Sequence, residues 1–150
     1  MLRDFRKING DLVDLSEHTQ NIICSYPDCE IHVGSDSQNY RNQTTYSVVV
    51  AYRLGTNGVH YIYHKVKVEK IKDRWTKLLK EAELSIEVAE WLTSNVKVNV
   101  QIDMDFNENE SFYSNRLVQL TKGWANSLGY KVNIKPNIQI ATKAADFQCR

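Results

Sequence analysis

A chain of 150 residues, 42% hydrophobic and 25% charged, has the length and make-up of one soluble globular domain built around a single sheet. Its formal net charge of +1 excludes a histone-like mode of binding but is compatible with an acidic centre balanced by a basic rim. No apolar run is long enough to cross a bilayer, and the start MLRDFRKING lacks the apolar stretch of a secretory signal, so the expectation is a cytoplasmic protein with no membrane partner.

Residues 1–13 are mixed and polar and read as an arm anchored by Phe5, Ile8 and Leu12. Asp14 followed by Glu17 has the pattern of a capping box, which predicts a short helix through about Ser25 that Pro27 ends. Cys24 and Cys29 flank Tyr26-Pro27 and Cys149 stands far off; with no second metal-type pair, they are expected as free thiols. Glu30 to Asp36 is the first long strand, followed by a polar loop, Ser37 to Gln43. Thr45 to Leu54 is a continuous β-branched and aromatic run, as in a strand covered on both faces. Gly55-Thr56-Asn57-Gly58 marks a hairpin, and Val59 to Val68 then sets Ile62, Val66 and Val68 on one face against Tyr61, Tyr63, Lys65 and Lys67 on the other.

The period then changes. After Asp73, a plausible N-cap, Trp75, Leu78, Leu79, Ala82, Ile86, Ala89 and Thr93 recur at helical spacing through about Ser94. Val96 to Phe106 alternates again and puts Asp103 and Asp105 on one face. Asn115 to Leu128 is a second long helical pattern stopped by Gly129, Tyr130 to Ile134 a short strand closed by Pro136, and Ala141 to Cys149 a final helix. The sum is an α/β fold with a mixed five-stranded sheet, three antiparallel strands and then two parallel, with helices on both faces. The 1–150 span reads as one domain, residues 1–29 being arm and short helix. Ligands of such sheets gather beyond the carboxyl ends of the parallel strands, where Asp36 and Asp105 are expected to end theirs.

This order, with GSDSQ at Gly34 to Gln38, KEAELSIEVA at Lys80 to Ala89, MDFN and SNRL within Met104 to Leu117, and KPN and ATKAAD within Lys135 to Asp146, resembles the ribonuclease H-like superfamily. Within it the chain is similar to the poorly characterised bacterial YkuK-like proteins, from Ile31 onward and more weakly before. The resemblance implies a catalytic and metal-binding tetrad at Asp36, Glu81, Asp105 and Asp146. Glu83 lies near the stripe edge as Glu81 does, and Asp103 shares a face with Asp105; Ser85 and the spacing to Asn107 and Asn115 favour Glu81 and Asp105. The implied roles are Asp36 as a bridging ligand of two divalent ions, Glu81 and Asp105 on the leaving-group side, and Asp146 on the side that activates water.

Grouped carboxylates repel unless a cation sits among them, and Mg²⁺ or Mn²⁺ takes hard oxygen ligands, with phosphodiester hydrolysis as the natural chemistry. Ser37 and Gln38 can steady the site or touch substrate; Lys143 can contact a phosphate or, more simply, neutralise Asp146. Lys65, Lys67, Lys70, Lys72, Arg74, Lys77 and Lys80 suit phosphates or merely a solvated face, and Tyr40, Tyr61 and Tyr63 suit stacking or packing. Trp75, Trp91 and Trp124 read as core or its margin, and the four histidines lack ligand spacing. The first expectation is therefore an endo- or exonuclease acting on RNA, an RNA-DNA hybrid or structured DNA. The alternative is an inactive nucleic-acid or protein-binding module of the same fold. An ATPase-type relative is disfavoured because the sequence has no Gly-rich phosphate loop.

Overall fold

A computed structural model describes residues 4–107, 112–135 and 139–150. Pro136, expected to close a strand, lies outside them, as do the side chains of Asn107 and Asn115. In chain order the elements are β1 (Phe5–Arg6), β2 (Leu12–Val13), α1 (Leu15–Ser25), β3 (Glu30–Tyr40), β4 (Gln43–Arg53), β5 (Val59–Glu69), α2 (Arg74–Asn95), β6 (Val100–Asn107), α3 (Phe112–Ser127), β7 (Lys131–Lys135) and α4 (Ala141–Cys149). Two helices start where side-chain caps were expected: Asp14 Oδ1 accepts from Glu17 N–H at 2.9 Å, and Asp73 Oδ2 from Thr76 N–H at 3.0 Å. Gly129 follows α3 with φ +91, a left-handed stop that only glycine adopts freely. No helix among the described residues is long and apolar enough to cross a membrane.

The strands form one mixed sheet in the order β2-β1-β5-β4-β3-β6-β7. β3 is an interior strand, antiparallel to β4 and parallel to β6, and β7 is parallel to β6. The sheet has seven strands rather than five, because the arm folds into a hairpin whose β1 pairs Arg6 with Tyr63 of β5. Phe5 is fully buried and anchors it, whereas Ile8 and Leu12 are exposed, so two of the three expected anchors do not serve. Pairs of two residues are too short to give a period-two signal, which is why no pattern announced these strands.

Two other boundaries differ. The stretch Ser37–Gln43 is no loop: β3 and β4 stay paired from Ser37↔Tyr46 to Tyr40↔Gln43, and the chain reverses at Arg41-Asn42, with Arg41 at φ 55. Its polar side chains bond across the hairpin, Thr44 Oγ1 donating to Asn39 Oδ1 at 2.6 Å and Asn39 Nδ2 to Ile71 O at 3.1 Å. Asp36 therefore lies inside its strand. In the β4–β5 turn the positive φ falls on Gly55 (+64) and Gly58 (+87), flanking a turn of 3-10 helix, rather than on Asn57.

The larger core lies between the sheet and α1, α2 and α3, with Val33, Val50, Tyr52, Ile62, Ala89, Leu92 and Ile102 at its centre. The other face is covered by α4 through a much smaller cluster, Val49, Ala51, Ala141 and Ala145. Gly34 makes that close approach possible, since a Cβ there would sit 2.9 Å from both Ala141 Cβ and Thr142 N. Gly34→Ala must push α4 off the sheet, and a loss of about 2 kcal/mol in urea unfolding is expected; an unchanged midpoint would mean that α4 is free to shift.

Candidate functional site

β3 and β6 are paired only as far as Gly34↔Asp103. Beyond that point β3 continues with β4 alone, and β6 is irregular against β7, Met104 facing Ile134 but Asn107 facing Lys135. β3 and β6 thus part, and Asp36 and Asp105 stand on either side of the split, Asp105 within the bulged stretch. Bulges of this kind re-aim side chains. Along β3 the pleat sends Ser35 and Ser37 towards α2, with Ser35 Oγ 2.7 Å from Ser85 Oγ, while Gly34 and Gln38 face α4. Glu81 enters from α2 and Asp146 from α4, so the four carboxylates come from four elements.

Asp36 and Glu81 register their acidic neighbours electrostatically. Burial raises Asp36 to about 7, a hydrogen bond with Asp146 and the charges of Asp146 and Asp105 add to it, and the N–H of Ser37 at 2.8 Å offsets part. Burial likewise raises Glu81 to about 8, helped by Asp36 and Asp105 and opposed by the Ser37 hydroxyl and Lys77. Ser37 Oγ donates to Glu81 Oε2 at 2.9 Å. Burial opposes the charge of Asp146, but Arg150, Asp36 and Gln38 together hold it below the usual carboxylate range. Arg150 Nη2 lies 2.8 Å from Asp146 Oδ2, and Gln38 Nε2 donates to Asp146 Oδ1 at 3.3 Å. Glu81 and Asp105 line one narrow crevice with Ser35 and Ser85.

The two open alternatives separate by burial and bonding. Glu83 is exposed and lies 3.8 Å from Lys80, away from this centre. Asp103 is buried, and donors surround both of its oxygens: His32 Nδ1 (3.0 Å) and Asn133 Nδ2 (2.9 Å) on Oδ1, Ile140 N and Ala141 N (2.9 Å each) on Oδ2. Burial opposes its charge, yet these donors depress its pKa. Asp103 is a structural anion, and its lone pairs are committed.

Ser37 and Gln38 direct their donors at Glu81 and Asp146, which is the steadying use of the two considered. Lys143 is exposed, and the cation paired with Asp146 is Arg150 instead. Of the basic run, Lys77 reaches the centre by its charge on Glu81, whereas Lys65, Lys67, Lys70, Lys72 and Arg74 are exposed. Lys77–Glu81 and Asp146–Arg150 are both i,i+4 pairs, a spacing that could have flagged them. Tyr61 accepts from Gln148 Nε2 at 2.8 Å and so packs under α4, while Tyr40 is exposed with Arg41 over its ring. Trp124 is exposed on α3 rather than core.

Cys24, Cys29 and Cys149 are free thiols. Cys149 is buried beside the acids, and burial with the charges of Asp36, Glu81 and Asp146 pushes its thiol up to about 12. Beneath the site the Tyr46 hydroxyl and Ser47 Oγ are buried without a hydrogen-bond partner among the described residues. Register alone joins Ser37 to Tyr46 and Asp36 to Ser47, so both follow once the hairpin is known.

The donor set is all oxygen and anionic, which fits Mg²⁺ or Mn²⁺ in kind. Among the described residues, however, no three His, Cys, Asp or Glu side chains are drawn up as closely as an ion requires. The acids are engaged by the chain's own groups: Asp36 and Asp146 lie within hydrogen-bonding reach of each other, Arg150 pairs with Asp146, and Ser37 holds Glu81. A cation there would compete with that guanidinium for Asp146. A family model described as Ribonuclease H-like matches residues 14–149. No curated protein and no solved structure matches the chain.

Proposed function

The chain belongs to the ribonuclease H-like family, and on that premise we propose that it is a metal-dependent nuclease hydrolysing phosphodiester bonds in RNA, an RNA-DNA hybrid or structured DNA. The observation that supports this reading is that Asp36 and Glu81, beside the point where β3 and β6 part, both have their ionisation opposed by burial and by acidic neighbours that include Asp105. Perturbed carboxylates concentrated in a cleft are what a catalytic centre requires and what a fold avoids without cause.

Asp36, Glu81, Asp105 and Asp146 would hold two divalent ions. Bound there, Mg²⁺ or Mn²⁺ supplies Lewis acidity towards the phosphoryl oxygens and a more acidic water. The chain's own contribution is placement. Asp36 is fixed inside a strand and backed by the N–H of Ser37, Glu81 is aimed by the Ser37 hydroxyl, and Asp146 is steered by Gln38. Lys77 lowers the cost of ionising Glu81 while the cleft is empty of cations. Arg150, which pairs with Asp146, is the cation of the site that could turn to a phosphate.

A second reading, a non-catalytic nucleic-acid or protein-binding module, draws on the closed Asp36–Asp146–Arg150 arrangement. Labelled single-stranded RNA, hybrid, duplex DNA and junction DNA, each incubated with Mn²⁺ beside Asp36→Asn, separate the two. Cleavage of one substrate that the variant loses supports the nuclease. Binding without cleavage, equal in parent and variant, establishes the module.

A further inference from the structure

α4 carries Asp146, yet no large apolar side chain of its own holds it to the sheet. Ala141 and Ala145 are buried against Val49 and Ala51, with Ala144 packed beside them, and its largest side chain, Phe147, is 67% exposed. Nor does it cap itself, because Ile140 at its N-cap has no side-chain oxygen to offer the first amides. The missing acceptor comes from another strand: Asp103 Oδ2 takes both Ile140 N–H and Ala141 N–H. An anion at a helix N-terminus is favourable in its own right, and here it is buried where no water competes.

Asp103 is itself fixed. His32 reaches Oδ1 from β3, Asn133 reaches it from β7, and His32 Nε2 faces Glu30 Oε1 at 3.2 Å. Around the clamp Gln139 Nε2 donates to Asn133 O and Thr142 Oγ1 to Gln139 Oε1, so the segment entering α4 is bonded to β7 as well. Asp103 thus gathers three strands and the start of α4 on one carboxylate, at the last β3–β6 pair before the strands part.

We propose that Asp103, held by His32 and Asn133, is a positioning residue that docks α4 and thereby sets Asp146 against Asp36. The proposal rests on the nuclease reading for its consequence but not for its geometry. Asp105, two residues along β6, would bind ions directly; Asp103 acts only through Asp146. One strand would therefore supply both a ligand and the support of another ligand, which ties the spacing of the two to the same backbone.

The test combines amide hydrogen exchange with Mn²⁺ binding, read by electron paramagnetic resonance of the free ion, in the full chain. In Asp103→Asn the α4 amides should exchange at least about 10-fold faster while those of β3, β4 and β5 keep their rates. Mn²⁺ affinity should fall as far as in Asp146→Asn, and the double variant should fall no further, since residues acting through one another are not additive. Uniform acceleration across the sheet, an α4 that stays protected, or multiplicative losses in the double variant would overturn the proposal. Should Asp103→Asn not fold, His32→Leu removes one donor to Oδ1 and carries the same measurements. If the unaltered protein binds no Mn²⁺, the nuclease reading fails while the exchange comparison still decides whether Asp103 docks α4.

Discussion

Asp36→Asn should lower Mn²⁺-dependent cleavage by about 10³-fold or more, equivalent to about 4 kcal/mol of lost transition-state stabilisation, and at pH 8.5 it should also raise the melting temperature of the metal-free protein. The opposite signs come from one cause. Asp36 is partly buried near Glu81, Asp105 and Asp146, and with its pKa raised to about 7 it is ionised at pH 8.5 against their repulsion. Asparagine keeps the shape and can still donate to Asp146 while removing the charge. At pH 6, where Asp36 is already protonated, the gain in melting temperature should nearly vanish. Calorimetry of both proteins in a chelator at the two pH values, with cleavage rates alongside, checks this. A variant that is less stable at pH 8.5 would contradict the assignment of a strained carboxylate.

The second large effect is on the pH dependence of the metal-free protein itself. Glu81 and Asp36 titrate at about 8 and about 7 in the folded chain, above their ordinary values of 4.5 and 3.8. Between those limits the folded state holds protons that the unfolded state has released, so stability falls as pH rises. Each group contributes a slope of at most about 1.4 kcal/mol per pH unit, and Asp36, being only partly buried, contributes less than Glu81. The stability is fully present below about pH 4 and lost by about pH 8 to 9. Urea midpoints measured from pH 5 to 9 should decline in chelator, decline less in Glu81→Gln, and recover towards high pH in saturating Mn²⁺, which binds the ionised set. A flat profile in chelator would rule out a buried, protonated Glu81.

Much of this could be read from the residues because local signals and tertiary demands agree. Asp14 and Asp73 cap their helices, Gly129 ends α3, and α4 occupies Ala141–Cys149 as its composition suggests. Periodicity could not separate Glu81 from Glu83, which both lie near the stripe edge; in the fold Glu81 is buried and Glu83 is exposed. Alternation alone could not separate Asp103 from Asp105, since both follow the same pleat until β6 bulges. That distinction is made by backbone irregularity and by amides arriving from residues 140 and 141, neither of which leaves a trace in periodicity. The Ser37–Gln43 stretch failed as a loop for a related reason: Asn, Gln and Ser are turn formers on average, but cross-strand partners satisfied them here.

The small hairpin at the start of the chain has an effect beyond adding two strands. β5 is an 11-residue strand rich in β-branched and aromatic residues, and without β1 it would be the outermost strand of the sheet. A long bare margin of that kind invites another copy to add itself and propagate. Phe5 fastens β1 over the middle of β5, opposite Tyr63, while Lys65 and Lys67 guard the stretch beyond it with charge. On this side the sheet therefore ends in the two-residue β2 and a charged stretch of β5, neither of which offers a neighbouring molecule a long unguarded edge.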